Sequence, residues 1–236
     1  MQACYLHFAP FLISERLLFM NKKKTAAAAV AGLENIYPDA ECSLKYEKPY
    51  ELMIAVRLSA QCTDARVNIV TKELFKRFPT LDSFAEADVK DIADIIRPCG
   101  LVNTKAKSIS EMCIRLRDVY GGVLPDSMEE LLTFSGVGRK TANLLLGDVF
   151  HKPAVVTDTH CIRISGRLGL TSSKDPKTVE DDLRKILPPD KSSDFCHRLV
   201  LFGREYCKAR SPKCESCPLR EYLKAEDEKF KCKVDF

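Results

Sequence analysis

Apolar residues recur along most of this chain at helical spacing. Ile109, Met112, Cys113, Leu116 and Val119 share one face of a predicted helix, and Val179, Leu183, Ile186 and Leu187 share one face of another. Helix starts are marked as well. Asp175-Pro176 sets a capping carboxylate before a proline whose fixed φ suits a first turn, and Ser127 with Glu130 fits a capping box ahead of Leu131 and Leu132. Pro79, Pro98-Cys99-Gly100, Gly121-Gly122 and Pro188-Pro189 cut the pattern into helices of ordinary length. The one β-like run, Ala154 to Thr157, is too short and isolated to build a sheet, so the chain is predicted to be all-α.

With 45% hydrophobic and 30% charged residues over 236 positions, the chain can bury a core as one large domain or two small ones. A net charge of +4 permits a nucleic-acid partner without demanding one. Eleven cysteines, an odd number with no export signal, read as reduced cytoplasmic thiols or metal ligands rather than a disulfide framework. The first nineteen residues are apolar but lack a basic start and are broken by Glu15 and Arg16, which suits neither a signal peptide nor a membrane span. They are expected to be a non-native extension ahead of Met20. Cysteines bunched at 207, 214, 217 and 232 among charged residues mark a small C-terminal module.

The stretch Leu131 to Phe150, LLTFSGVGRKTANLLLGDVF, is predicted to be a helix-hairpin-helix, a short amphipathic helix turning through Gly136-Val137-Gly138 into a longer apolar one. Two glycines allow a tight turn and leave backbone N–H groups uncovered at the second helix's start, where the helix dipole favours an anion such as phosphate. A plain helix-to-helix turn is the competing reading. Lys140 falls in the first turn of that second helix, where a cation opposes the dipole and gains nothing structurally. A lysine amine can attack a sugar carbon to give a Schiff base once it has lost its proton. From a reference pKa of about 10.4 that calls for a proton-accepting neighbour or burial. Further on, VVTDTH ends in Asp158 just before a new helical pattern, a natural N-cap whose fixed, ionised carboxylate also suits stabilisation of a cationic sugar.

GVGRKTANLLLGDVF followed by VVTDTHCIRISGRLGL resembles the endonuclease III family of helix-hairpin-helix DNA glycosylases. The resemblance extends through LMIAVRLSAQCTDARVN and GLVNTKAKSI and covers nearly everything from Met20. It implies two helical domains with DNA held in a cleft between them. Residues 42–152 would form the six-helix domain, and the first helix, within 20–41, would join residues 153–236 and their cysteine module. It implies a monomeric base-excision-repair enzyme acting on double-stranded DNA that carries an oxidised pyrimidine or an abasic site. Lys140 would be the nucleophile and Asp158 the catalytic carboxylate. Gln61 would fill the gap left by the extruded nucleotide, Leu101 would act as a wedge, and Gly136, Val137, Gly138 and Arg139 would hold the DNA backbone. Strand cleavage would follow excision by β-elimination 3′ to the abasic site.

Cys207, Cys214 and Cys217 have the CX6CX2C spacing with which this family begins its [4Fe-4S] site. The family's fourth cysteine would fall at position 223, which is Leu, and the one later thiol is Cys232. Three outcomes stand open: Cys232 loops back as a ligand, three thiolates hold a labile cluster, or no cluster forms. Zinc on the four thiolates is a further option. Two other functions also stay open, a monofunctional mismatch glycosylase, against which Lys140 argues, and a non-catalytic DNA-binding module.

Overall fold

The computed structural model describes the backbone of residues 9–234 and the side chains of residues 20–234. Among these residues the regular structure is entirely helical. In chain order the helices are α1 (Ala9–Ile36), α2 (Pro49–Ser59), α3 (Asp64–Arg77), α4 (Leu81–Ala85), α5 (Val89–Ile96), α6 (Val102–Tyr120), α7 (Met128–Leu131), α8 (Arg139–Asp148), α9 (Thr159–Arg167), α10 (Pro176–Ile186), α11 (Ser192–Glu205) and α12 (Arg220–Glu226). Ala154–Thr157 is buried but pairs with no strand. The expectation of an extension before Met20 falls on residues 1–8, which lie outside the described residues, and on a segment where α1 runs through position 20 without a break.

By its internal contacts the chain divides into two compact units. One is Cys42–Ala154, holding α2 to α8 around a core that includes Leu52, Ile54, Leu58, Leu74, Phe84, Ile92, Met112 and Leu145. The other joins the N-terminal helix, through Glu41, to the chain from Val155 onward. There α1 packs on α10, α11 and α12, and α9 packs on α11. Gly32 makes the close approach of α1 to α12 possible, because a Cβ there would stand 2.6 Å from Leu219 and 2.9 Å from Tyr222.

The predicted caps are present with one change of detail. The Asp175 carboxylate accepts from the Thr178 N–H at 2.9 Å, with Pro176 opening α10. Ser127 accepts from the Glu130 N–H at 3.2 Å, but the Glu130 carboxylate accepts a hydrogen bond from the Ser127 hydroxyl at 2.7 Å instead of reaching back to the backbone. Ile109, Met112, Cys113 and Leu116 are buried as expected, whereas Val119 is 60% exposed. It lies one residue from the end of α6, where the Gly121-Gly122 turn carries the chain away from the core.

Candidate active site and cysteine pocket

The hairpin lies wholly in the Cys42–Ala154 unit. Its first helix, α7, is shorter than its apolar pattern suggests, ending at Leu131 in a run of tight turns that buries Phe134 and Val137. Gly136 then takes φ +74°, a backbone that L side chains rarely adopt, and a Cβ there would stand 2.5 Å from the Arg57 Nε. Gly138 is the N-cap of α8 in extended conformation, with no side-chain cap and open space where a Cβ would be. The first-turn N–H groups of α8 are therefore presented outward at the positive end of a helix dipole. Arg139 and Lys140 are the first two residues of α8, and the Lys140 side chain is exposed rather than backed by the apolar face of its helix.

Gln61 and Leu101, from two loops of the same unit, share an unusual backbone. Gln61 has φ +56° and Leu101 φ +49°, and both side chains are exposed, Leu101 by 51%. A left-handed backbone on such residues stores strain that surrounding contacts must hold. The holding group is Lys105, which sequence reasoning did not single out. Its side chain is fully buried, and its three ammonium N–H groups donate to the carbonyls of Leu58 (2.8 Å), Ala60 (2.7 Å) and Cys99 (2.8 Å). Ala60 immediately precedes Gln61, and Cys99 lies two residues before Leu101. Burial pulls the Lys105 ammonium below the usual lysine range, with the Cys99 and Cys62 thiols opposing that shift. One signal was present in the sequence: Lys105 continues the stripe of Ile109, Met112, Cys113 and Leu116 on α6, and a charge on a core-facing stripe needs a buried partner.

In the other unit, Asp158 is the N-cap of α9, its carboxylate accepting from the Cys161 N–H at 2.7 Å. Cys207, Cys214, Cys217 and Cys232 all line one cavity of about 400 Å³ in this unit, together with Leu223 and Phe230. Among the described residues no three metal-ligating side chains converge on one point. A polynuclear cluster binds each thiolate to a separate iron, so four cysteines spread around a cavity fit it better than they fit one zinc ion, whose sulfurs must all approach to about 2.3 Å.

Residues 54–189 match the HhH-GPD superfamily of base excision DNA repair proteins, more than half of the chain. The chain belongs to this superfamily. Residues 207–222 match the iron-sulfur binding domain of endonuclease III. Endonuclease III of Synechocystis is 44% identical over 84% of this chain and 91% of its own length, that of Bacillus subtilis 42% over 78% and 85%, and that of Escherichia coli 36% over 92% and 100%. A solved trapped endonuclease III–DNA covalent intermediate superposes with a TM-score of 0.81 at 40% identity, covering 90% of this chain and 96% of that one. A thermostable thymine-DNA glycosylase, at 22% identity and a TM-score of 0.74, shares the fold.

Within the HhH-GPD superfamily the chain belongs to the endonuclease III family, base-excision-repair DNA glycosylases and abasic-site lyases that act on DNA and carry a [4Fe-4S] cluster. No described helix is long and apolar enough to cross a membrane.

Proposed function

We propose that Lys140 is the nucleophile of this protein and that the turn beside it binds phosphate and delivers the substrate. The observation that carries this reading is the placement of an exposed lysine one residue inside a helix whose start is uncapped. A phosphodiester bound to the first-turn N–H groups of α8, along the backbone of Gly136, Val137, Gly138 and Arg139, lies within reach of the same turn's amine.

A stacked base is unreachable, so the nucleotide must rotate out of the duplex, at about a few kcal/mol and less for a damaged, poorly stacked base. Gln61 fills the vacated place and Leu101 wedges the partner strand, both from loops held rigid by Lys105. The exposed Lys140 ammonium gives a proton to water, and the amine then forms a bond to the anomeric carbon. The glycosidic bond breaks, and its electron pair leaves with the base, which takes up a proton. The Asp158 carboxylate offsets positive charge on the sugar. The new C1′ ammonium gives up one proton, and the C1′–O4′ bond breaks as the ring oxygen takes up a proton to become the 4′-hydroxyl. The protonated imine that results lets a base remove a C2′ proton and expel the 3′ phosphate with the C3′–O bond's electron pair. Oxidised pyrimidines in double-stranded DNA are the proposed lesions, and the enzyme is proposed to act as a cytoplasmic monomer. The cluster supplies a structural pin for the basic loop carrying Lys208, Arg210 and Lys213, all exposed.

The test is wild type against Lys140→Ala on duplexes carrying thymine glycol or an abasic site, with and without borohydride. Cleavage and a trapped adduct, both lost in the variant, are expected. Undiminished trapping in the variant would move the nucleophile elsewhere, and binding without cleavage by wild type would favour a non-catalytic module.

A further inference from the structure

The matched iron-sulfur segment ends at residue 222, and position 223 is Leu. Leu223 is 2% exposed and lines the cysteine cavity as an apolar wall, so α12 supplies no thiolate. Beyond α12 the chain turns back sharply. The Asp227 N–H donates to the Leu223 carbonyl at 3.1 Å and the Phe230 N–H to the Asp227 carbonyl at 2.8 Å, which returns Phe230 and Cys232 to the wall of the same cavity.

A second observation fixes that return. Arg167, at the end of α9, is 6% exposed and spreads its guanidinium between two segments. One nitrogen donates to the Cys207 Sγ at 3.3 Å and to the Lys208 carbonyl at 2.7 Å, and another to the Ala209 carbonyl at 3.1 Å. Its Nε donates to the Val234 carbonyl at 3.1 Å, while its own backbone carbonyl accepts from the Lys233 N–H at 2.8 Å. Arg167 thus clasps the loop that opens the cysteine motif to the two residues that follow Cys232. A planar fork of donors holds both at fixed spacing, which a lysine's point charge does not.

We propose that Cys232 is the fourth ligand of the [4Fe-4S] cluster, held on the cavity wall by Arg167, with Leu223 packing where α12 faces the site. On ligation the Cys232 thiol gives its proton to solvent as the sulfur–iron bond forms, and no electron changes hands. The inference rests on the matched iron-sulfur segment and the cavity, and stands apart from the role given to Lys140. Arg167 is a positioning residue in this arrangement.

The experiment compares the full chain, purified without oxygen, as wild type, Cys232→Ser, Cys232→Ser with Leu223→Cys, and Cys42→Ser as a control for loss of an unrelated thiol. Iron and acid-labile sulfide content, visible charge-transfer absorption and EPR after mild oxidation are read on each. Wild type and Cys42→Ser should hold about four irons per chain. Cys232→Ser should lose iron or yield a three-iron cluster, and Leu223→Cys should restore the four-iron signal from the position facing the same cavity. Arg167→Lys should speed iron loss to a chelator several-fold, and by less in the doubly substituted background, where the fourth ligand no longer comes from the clasped segment. Four irons with unchanged absorption and EPR in Cys232→Ser would overturn the assignment. So would zinc in place of iron in wild type, or loss in Cys232→Ser without rescue, which would make Cys232 a packing residue.

Discussion

The Lys105 Nζ lies 2.7 Å from the carbonyl oxygen of Ala60, the residue directly ahead of Gln61. The same ammonium reaches the Cys99 carbonyl at 2.8 Å, so one buried cation ties together the two loops that present Gln61 and Leu101. Replacing Lys105 by Met keeps much of the volume but strips three carbonyls of a charged donor. We expect a loss of about 2–4 kcal/mol in unfolding free energy. Cleavage of a lesion in duplex DNA should fall further than cleavage of an abasic site in single-stranded DNA, where no gap needs filling. Melting curves and single-turnover assays on the two substrates check this; equal losses on both would remove the link to the proposed insertion of Gln61 and Leu101.

Asp158 combines an N-cap with a proposed catalytic charge, and two substitutions separate them. Asn caps a helix about as well as Asp, whereas Ala forfeits about 1 kcal/mol. Asp158→Asn should therefore melt close to wild type with strongly reduced excision, while Asp158→Ala should lose both stability and excision. Full excision by Asp158→Asn would reduce Asp158 to its capping role.

The two hairpin glycines should respond differently. Gly136→Ala meets both a positive φ and the Arg57 side chain, a strain of about 1–3 kcal/mol. Gly138→Ala meets neither, and as an N-cap change should cost under about 1 kcal/mol. Both should weaken DNA affinity if the turn holds phosphate as proposed, since a methyl at Gly138 would fill the open space before α8 and one at Gly136 would distort the turn, but only Gly136→Ala should melt markedly earlier. Titrations with undamaged duplex and calorimetry on each variant give the comparison.

The Asp175 carboxyl is held below the usual carboxylate range, first by the Thr178 backbone N–H and then by the Thr178 hydroxyl. A depressed folded pKa adds stability that is complete above the unfolded value of about 3.9 and disappears as pH falls through the folded value. Asp175→Asn keeps an N-cap but no titrating charge. Its melting temperature should fall less steeply than that of wild type between about pH 4 and pH 2.

Local chemistry was legible because it depends on neighbours in sequence. The all-α class followed from apolar spacing, the Asp158 and Asp175 caps from residues three positions apart, and the turn at Gly136 from the glycine pair. Local patterns failed where a boundary depended on what lay beyond it. Val119 continues the stripe of α6 but has no core opposite, and α7 stops at Leu131 because the turns after it bury Phe134 and Val137 instead.

The sequence by itself determined helical periodicity, capping and the residue types available for chemistry, since each is a short-range property of the chain. Tertiary structure alone decided which charged side chains became buried fasteners. Lys105 and Arg167 are both buried, and although Lys105 continues the stripe of α6, the sequence does not say which carbonyls receive either cation. Burial removed their water, and the carbonyls and thiol that replace it come from residues up to 67 positions away. The same long-range closure carried Cys232 to the cavity of Cys207, Cys214 and Cys217, a meeting that no spacing rule encodes because it depends on the turn after α12 and the clasp at Arg167.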